Sequence, residues 1–173
     1  MTDQNMKTVE IYIGTDLRGP AKGEGKVIYI MRMRRQKRKD HESQPAIRAV
    51  DDVTESCLIL YALWDALQRF NFACDVVIYT ECSYVAAAIN NMWPDAWREN
   101  SWRNARGQQV KNWGLWEMIL RELEETGHTI RAVPGKHEFS NWMRCNIPNL
   151  PAEKDVFTAV EPKELNLVSD RIC

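Results

Sequence analysis

The sequence predicts an α/β protein with a mixed five-stranded sheet flanked by helices, and three observations support this prediction. Three β-favouring segments come first along the chain, at residues 9–13, 26–33 and 46–50. Helical and strand-like segments then alternate up to residue 133. Of the 173 residues, 45% are hydrophobic and 27% are charged, which is typical of a globular domain. We therefore expect a three-stranded antiparallel start followed by parallel strand–helix units, with helices on the faces of the sheet.

The first half of the predicted sheet consists of antiparallel strands. Residues 9–13 alternate between apolar and polar, are rich in β-favouring types and stop at Gly14, so they predict a strand. The Gly- and Pro-containing residues 19–25 predict a turn. Residues 26–33 then predict a second strand that forms a hairpin with the first, and residues 46–50 predict a short third strand.

Helices and strands alternate in the second half of the chain. Thr54 is a suitable N-cap for a helix through about Phe70, because apolar residues recur there at helical spacing. Residues 75–80 are almost continuously apolar, as expected of a central strand. Residues 83–91 predict the helix that follows this strand.

Two segments of different composition complete the organisation of the chain. The Trp- and Arg-rich residues 93–111 predict a basic protrusion. Residues 110–126 then predict a helix, and residues 129–133 predict the fifth strand. Prolines beyond residue 147 exclude a continuous helix there. We therefore expect one domain over residues 1–147 and a loop-rich tail over residues 148–173.

The formal net charge of −1 comes from 23 Lys and Arg residues against 24 Asp and Glu residues. As an average, this balance argues against a polyanionic partner. Positive residues nevertheless concentrate in two segments, residues 32–39, with six in eight positions, and residues 98–111. The first segment is also typical of a solvated hairpin end that prevents edge pairing. Because basic and acidic segments cancel in the sum, near-neutrality does not exclude nucleic acid as a partner.

The cysteines and the apolar segments indicate the expected cellular setting. The cysteines are odd in number, widely spaced and without a Cys-x-x-Cys motif, which favours free thiols in a reducing cytoplasm over a disulfide framework or a zinc site. They are Cys57, Cys74, Cys82, Cys145 and Cys173. No apolar run approaches the roughly 18 residues of a membrane span, so we expect no membrane partner.

Oxygen-bearing side chains stand at the predicted ends of the elements, where catalytic groups gather in such sheets. They are Asp16, Glu55, Glu81 and Asn146. Clustered oxygens of this kind suit Mg²⁺ or Mn²⁺, and two such ions can clamp the attacking and leaving oxygens of a phosphodiester. Three of these residues also have a ready structural interpretation, whereas Glu81, which follows a buried strand and precedes a helix, is the hardest to explain in this way. Glu55 suits a helix N-terminus, Asp16 suits a turn and Asn146 suits a loop.

Several segments in order resemble the type I ribonuclease H family over roughly residues 7–146. The sharpest match is residues 79–85 (Tyr-Thr-Glu-Cys-Ser-Tyr-Val), which are similar to the family's Thr-Asp-Ser-x-Tyr-Val. The other matches are residues 9–12 with the turn residues Leu17, Gly19 and Pro20, Glu55 at the start of a long apolar helix, residues 93–116, residues 133–137 and residues 144–146. The resemblance implies an RNase H-like fold and Mg²⁺- or Mn²⁺-dependent cleavage of the RNA strand of RNA–DNA hybrids. It also implies catalytic roles for Asp16, Glu55, Glu81, Asn146 and His137, of which all but His137 would hold the metal.

The chain departs from the family pattern of four carboxylates. Gly14 aligns with the first family aspartate, and Asp16 lies two residues further on, on the same face of an extended strand. Glu81 adds a methylene, and a shift of about 1 Å can cost roughly 100-fold in rate. Asn146 keeps an oxygen but loses the charge, and His137 stands one residue later than the family's loop histidine.

Nucleic-acid contacts are expected on the protrusion and beside the carboxylates. Cations interleaved with tryptophans combine phosphate contacts with flat surfaces for sugars or bases. The expected contact residues are Arg98, Trp102, Arg103, Arg106, Lys111, Asn91 and Gly19. A small satellite core of stacked tryptophans is the alternative interpretation of this segment.

Two further hypotheses on function stay open. One is a catalytically impaired module that binds nucleic acid without chemistry. The other is an adaptor of a mobile element whose residues 154–173 bind a partner. In each case we expect a monomer.

Overall fold

A computed structural model describes residues 6–35 and 37–150, together with the backbone of residues 153–154. The strands are β1 (Lys7–Thr15), β2 (Gly23–Met33), β3 (His41–Glu42), β4 (Ala46–Val53), β5 (Cys74–Thr80), β6 (Thr129–Pro134) and β7 (Glu153–Lys154). The helices are α1 (Glu55–Leu67), α2 (Ser83–Asn90), α3 (Trp93–Glu99), α4 (Trp113–Thr126) and α5 (Ser140–Asn146).

The strands form one mixed sheet in the order β6-β5-β1-β2-β4-β7, with β3 beside β2. Strands β1, β2 and β4 pair antiparallel, whereas β5 is parallel to both β1 and β6. The predicted fold class is therefore confirmed. The two additional strands, β3 and β7, are two residues long each, too short to show any periodicity in the sequence. Strand β7 pairs with β4, so two residues of the predicted tail join the sheet.

One face of the sheet carries the main hydrophobic core beneath α1, α2 and α4. Helix α1 begins where predicted, because Thr54 Oγ1 accepts a hydrogen bond from the backbone N–H of Cys57 at 3.2 Å. All residues of this helix from Cys57 to Leu67 are buried. This burial fixes the helix against the sheet, and with it the position of Glu55 at its first residue.

The opposite face of the sheet is packed against the short helix α5. The small core here contains Tyr12, Ile28, Ile30, Ile47, Met143 and Ile147. Helix α5 ends at Asn146. Ile147 still has helical dihedral angles (φ −53°, ψ −40°), but Pro148 follows and has no N–H with which to continue the helical hydrogen bonds. The sequence excludes a continuous helix beyond residue 147, but it did not predict α5.

The segment 93–111 folds as α3 followed by a compact loop. Trp102 is only 9% exposed and its ring lies 6.5 Å from that of Trp113, while Trp97 lies 6.2 Å from the buried Trp116. These rings therefore pack on one another, as in the alternative interpretation, but they belong to the main core and do not form a separate satellite core. Among the described residues, no helix has the length and apolar character needed to cross a bilayer. Residues 155–173 of the hypothetical partner-binding tail lie outside the described part of the chain.

Candidate active site

The candidate active site lies where the parallel strands β1 and β5 end side by side. Tyr12 of β1 pairs with Tyr79 of β5, so the residues that follow both strands reach the same edge of the sheet. Glu81 comes directly after β5, and the loop after β1 carries Arg18. Glu55 reaches this edge from the first turn of α1. Three distant parts of the sequence therefore meet here, as expected from their positions at element ends.

Arg18 bridges the two glutamates. Nη2 of its guanidinium lies 3.0 Å from Glu81 Oε2, and Nη1 lies 3.8 Å from Glu55 Oε1. The side chains of Glu55 and Glu81 are 13% and 20% exposed, whereas that of Arg18 is 49% exposed. Two partly buried carboxylates from different elements thus share one cation, which approaches them from the solvent side.

The backbone around Arg18 is held by hydrogen bonds to the same site. The N–H of Gly19 donates to Glu55 Oε2 at 2.7 Å, and the N–H of Leu17 donates to Thr15 Oγ1 at 3.1 Å. Gly19 has φ +82°, a left-handed conformation that favours glycine. The turn that was predicted from Leu17, Gly19 and Pro20 therefore positions the loop against Glu55.

Asp16 and Glu81 line one cavity of about 250 Å³. The same cavity is lined by Arg18, Arg144 and Met143. Asp16 is exposed, and its Oδ1 accepts a hydrogen bond from the backbone N–H of Lys26 at 2.7 Å. Arg144 Nη2 lies 3.7 Å from Glu81 Oε1. The cavity therefore carries acidic and basic side chains together with apolar ones.

Gly14, which aligns with the first family aspartate, lies so close to Met143 that a side chain there would require Met143 to move. A Cβ added to Gly14 would lie 2.7 Å from Met143 Sδ and 3.2 Å from Met143 Cβ. Helix α5 therefore fills the space where an aspartate side chain would begin. Asp16 lines the cavity two residues further on, as the two-residue period of a strand predicts.

The structure places the side chains of His137 and Asn146 in hydrogen bonds to the backbone, and their catalytic roles stay predictions. His137 Nε2 lies 3.0 Å from the carbonyl oxygen of Ile13, and its Nδ1 accepts from the N–H of Phe139 at 3.2 Å. Asn146 Nδ2 donates to the carbonyl of Trp142 at 2.7 Å. Neither residue lines the cavity of Asp16 and Glu81. Both side chains thus make hydrogen bonds to backbone carbonyl groups.

The environment of His137 predicts a dependence of stability on pH. Burial lowers the pKa of His137 below its ordinary value of 6.5, so the folded state favours the neutral ring. The unfolded state then binds more protons, and the free energy of unfolding should decrease as the pH falls below about 6.5. Chemical denaturation between pH 7.5 and 5 measures this slope. His137→Gln should reduce it, and an unchanged slope in this variant would contradict the assignment.

The structure leaves some of the predicted nucleic-acid contact residues exposed and packs others against the domain. Arg98 is held by Glu117, at 2.9 Å, and by Glu124, both on α4, and the side chain of Trp102 is buried. These two residues therefore pack the protrusion onto the domain. The predicted contact residues that remain exposed are Arg103, Arg106, Lys111, Asn91 and Gly19. The N–H of Gly19 is already bound to Glu55, and the side chain of Asn91 donates to the carbonyl of Ala87 at 2.8 Å.

The carboxylates of this site fit one cation. Glu55 and Glu81 already hold the guanidinium of Arg18 between them, which shows that the pair accepts a positive charge. Within residues 6–35 and 37–150, no group of three or more His, Cys, Asp and Glu side chains stands ready to enclose a metal ion. A single divalent ion on Glu55 and Glu81, with water as its other ligands, is compatible with this arrangement.

Sequence reasoning did not single out Arg18, Arg144 or Met143, which shape the cavity. Arg18 stands between Leu17 and Gly19, two residues used to recognise the turn, and Arg144 belongs to the matched residues 144–146. Their proximity to these motifs was the available signal. No periodic pattern marks a loop arginine as a partner of two distant glutamates.

The order of the sheet, its parallel and antiparallel pairs and the acidic residues at the edge define an α/β protein of the RNase H-like class. A family profile described as RNase H matches residues 9–145 of the chain. The chain therefore belongs to the RNase H family, and members of this family generally use a divalent metal ion.

Individual relatives are consistent with this assignment. A ribonuclease H of Clostridium botulinum is 32% identical over 103 residues, covering 57% of this chain and 66% of that protein. A ribonuclease H of Chlorobium phaeobacteroides is 35% identical over 95 residues, covering 54% of this chain and 64% of that protein. The alignments thus span slightly less than two thirds of these relatives.

Solved structures share the fold at low sequence identity. LC9-RNase H1, a type 1 RNase H with the type 2 active-site motif, has a TM-score of 0.63 and 16% identity, covering 82% of this chain and 72% of that chain. The foamy viral protease-reverse transcriptase in complex with an RNA/DNA hybrid has a TM-score of 0.56 and 19% identity, covering 83% of this chain and 19% of that chain.

Proposed function

We propose that this protein is a ribonuclease H that hydrolyses the RNA strand of RNA–DNA hybrids with the help of Mg²⁺ or Mn²⁺, acting as a cytoplasmic monomer. The observation that carries the proposal is the convergence of Glu55 and Glu81 on one cation beside an open cavity. The names of the curated relatives, Ribonuclease H, and the RNA/DNA hybrid bound by a structural relative support the same substrate class.

Each residue of the site would have a different role in hydrolysis. Glu55 and Glu81 would hold the divalent ion, which, when bound, neutralises charge on the phosphodiester and favours ionisation of water. Glu55 also orders the loop of Gly19 through its hydrogen bond, so the substrate meets a fixed backbone there. Asp16 lines the cavity next to Glu81, where its free carboxylate oxygen can orient water. Arg144 offers a positive charge to the phosphate on the opposite side of Glu81.

The exposed cations of the protrusion should supply salt-dependent affinity. We expect the triple variant Arg103→Gln, Arg106→Gln and Lys111→Gln to have a shallower slope of log affinity against log salt concentration. The slope should decrease in magnitude by about 1 for each phosphate that is no longer neutralised. Fluorescence anisotropy with a labelled hybrid at several salt concentrations measures the slope. Arg121→Gln is the matched control, because Arg121 on α4 pairs with Glu117 at 3.4 Å. An unchanged slope in the triple variant would show that these cations of the protrusion do not contact the hybrid.

A second candidate function is binding of nucleic acid without cleavage. Two observations favour it: the guanidinium of Arg18 lies between the two glutamates, and Met143 closes the position of the first family aspartate. This function would retain the exposed cations and would not require a metal ion.

One experiment separates the two candidates. An RNA strand labelled at its 5′ end is annealed to DNA and incubated with the protein in Mg²⁺, in Mn²⁺ or in a chelator. Single-stranded RNA and an RNA duplex of the same sequence serve as controls. We expect shortened RNA only from the hybrid and only with metal. An intact hybrid under both metals, with binding measured separately, would overturn the nuclease proposal and support the second candidate.

A further inference from the structure

We propose that Arg18 is a built-in competing cation that sets how readily a divalent ion enters the site of Glu55 and Glu81. The inference deepens the proposed function and rests on its metal dependence. It assigns Arg18 a role in controlling metal occupancy, distinct from a role in the chemical step.

The geometry places Arg18 where an entering cation would go. Its two terminal nitrogens reach different glutamates, Nη2 at 3.0 Å from Glu81 and Nη1 at 3.8 Å from Glu55. A divalent ion shared by both carboxylates would need the same space between them. The guanidinium and the ion therefore exclude each other.

The construction of the loop allows the side chain to leave while the backbone stays. On either side of Arg18, the N–H of Leu17 donates to Thr15 and the N–H of Gly19 donates to Glu55. The Arg18 side chain is 49% exposed, whereas its two partners are 13% and 20% exposed. A rotation of the arginine side chain into solvent therefore removes the guanidinium from both carboxylates without breaking the hydrogen bonds of the loop backbone.

The strength of the contact suits a reversible competitor. Ion pairs open to solvent contribute little, and an ion of charge two interacts more strongly with a pair of carboxylates than a guanidinium does. An arginine stays charged at any physiological pH, so the competition does not depend on a proton. A phosphodiester in the cavity would offer the displaced guanidinium a new partner, and substrate and metal would then favour each other's binding.

Titration calorimetry with Mn²⁺ alone, in the absence of nucleic acid, tests the inference on the full chain. We expect Arg18→Gln to bind Mn²⁺ about 3- to 30-fold more tightly than the unaltered protein, which is the range for removing two weak ion pairs. Arg18→Lys keeps the charge and should stay near the unaltered affinity. Arg144→Gln is the matched control, because Arg144 pairs with Glu81 at 3.7 Å and, among the described residues, does not bridge it to Glu55, so its loss should give a smaller gain in Mn²⁺ affinity.

Three outcomes distinguish this inference from the proposed function. Equal Mn²⁺ affinity in the unaltered protein and Arg18→Gln would overturn the role of Arg18 and leave the metal-dependent nuclease intact. If Arg144→Gln raised the Mn²⁺ affinity as much as Arg18→Gln, the effect would come from the loss of a positive charge near the site. This result would overturn the bridging role of Arg18. No binding by any variant, with thermal unfolding showing that each is folded, would overturn both proposals.

Discussion

Glu81→Gln should lower the rate of hybrid cleavage by at least about 100-fold while changing hybrid affinity only a few-fold, since loss of a metal-holding carboxylate acts mainly on the chemical step. Glu81 lines the cavity and also shares a cation with Glu55. Glutamine has the same shape but no charge, so the site would lose one of two carboxylates that hold the ion. The cavity and the protrusion would keep their shape, so the surface that binds the hybrid would stay the same.

Initial rates of cleavage at saturating metal, together with hybrid affinity in a chelator, measure the two quantities separately. Glu42→Gln is the matched control, because Glu42 also pairs with an arginine on the surface, Arg32, at 3.1 Å, but lies outside the cavity. It should cleave at the unaltered rate. A Glu81→Gln protein that retains its rate would show that hydrolysis does not depend on this edge of the sheet.

Gly14→Asp should destabilise the fold by about 1–3 kcal/mol, as expected for overpacking a filled site. The new Cβ would lie 2.7 Å from Met143 Sδ, and Met143 is only 2% exposed. The aspartate that the family pattern places here therefore requires Met143 to shift. We expect no gain in cleavage from Gly14→Asp alone, because Met143 of α5 occupies the space that the new side chain would enter.

Chemical denaturation of a double-mutant cycle measures this conflict. Met143→Ala alone should cost about 2–5 kcal/mol, as for other buried methionines. The double variant Gly14→Asp and Met143→Ala should be more stable than the sum of the single effects by about 0.5–3 kcal/mol, because the smaller side chain admits the aspartate. Strict additivity would indicate that the two residues do not contact each other.

The fold was largely predictable from the sequence because its long elements have strong patterns. The alternation in β1, the apolar run of β5 and the N-cap at Thr54 can each be recognised from adjacent residues of the sequence. Helix α5 was missed because only Ser140 and Met143 of its seven residues are buried, which leaves little periodicity. The two-residue strands β3 and β7 depend on pairing with distant residues, which no local pattern reveals.

The candidate site was predictable in part. Glu55 and Glu81 stand at element ends, and the topology brings such ends together. The roles of His137 and Asn146 were assigned by family position and stay predictions, and the structure shows backbone hydrogen bonds for both. Arg18 was not foreseen, because a salt bridge between a loop and two distant elements depends on the completed fold.

The most direct test of a metal site at this edge of the sheet is to locate Mn²⁺ in crystals of the protein by anomalous scattering. We expect one peak within coordination distance of both Glu55 and Glu81, with the Arg18 guanidinium moved out from between them. A guanidinium that stays between the two glutamates at a saturating concentration of Mn²⁺, with no anomalous peak at either carboxylate, would contradict the proposed site.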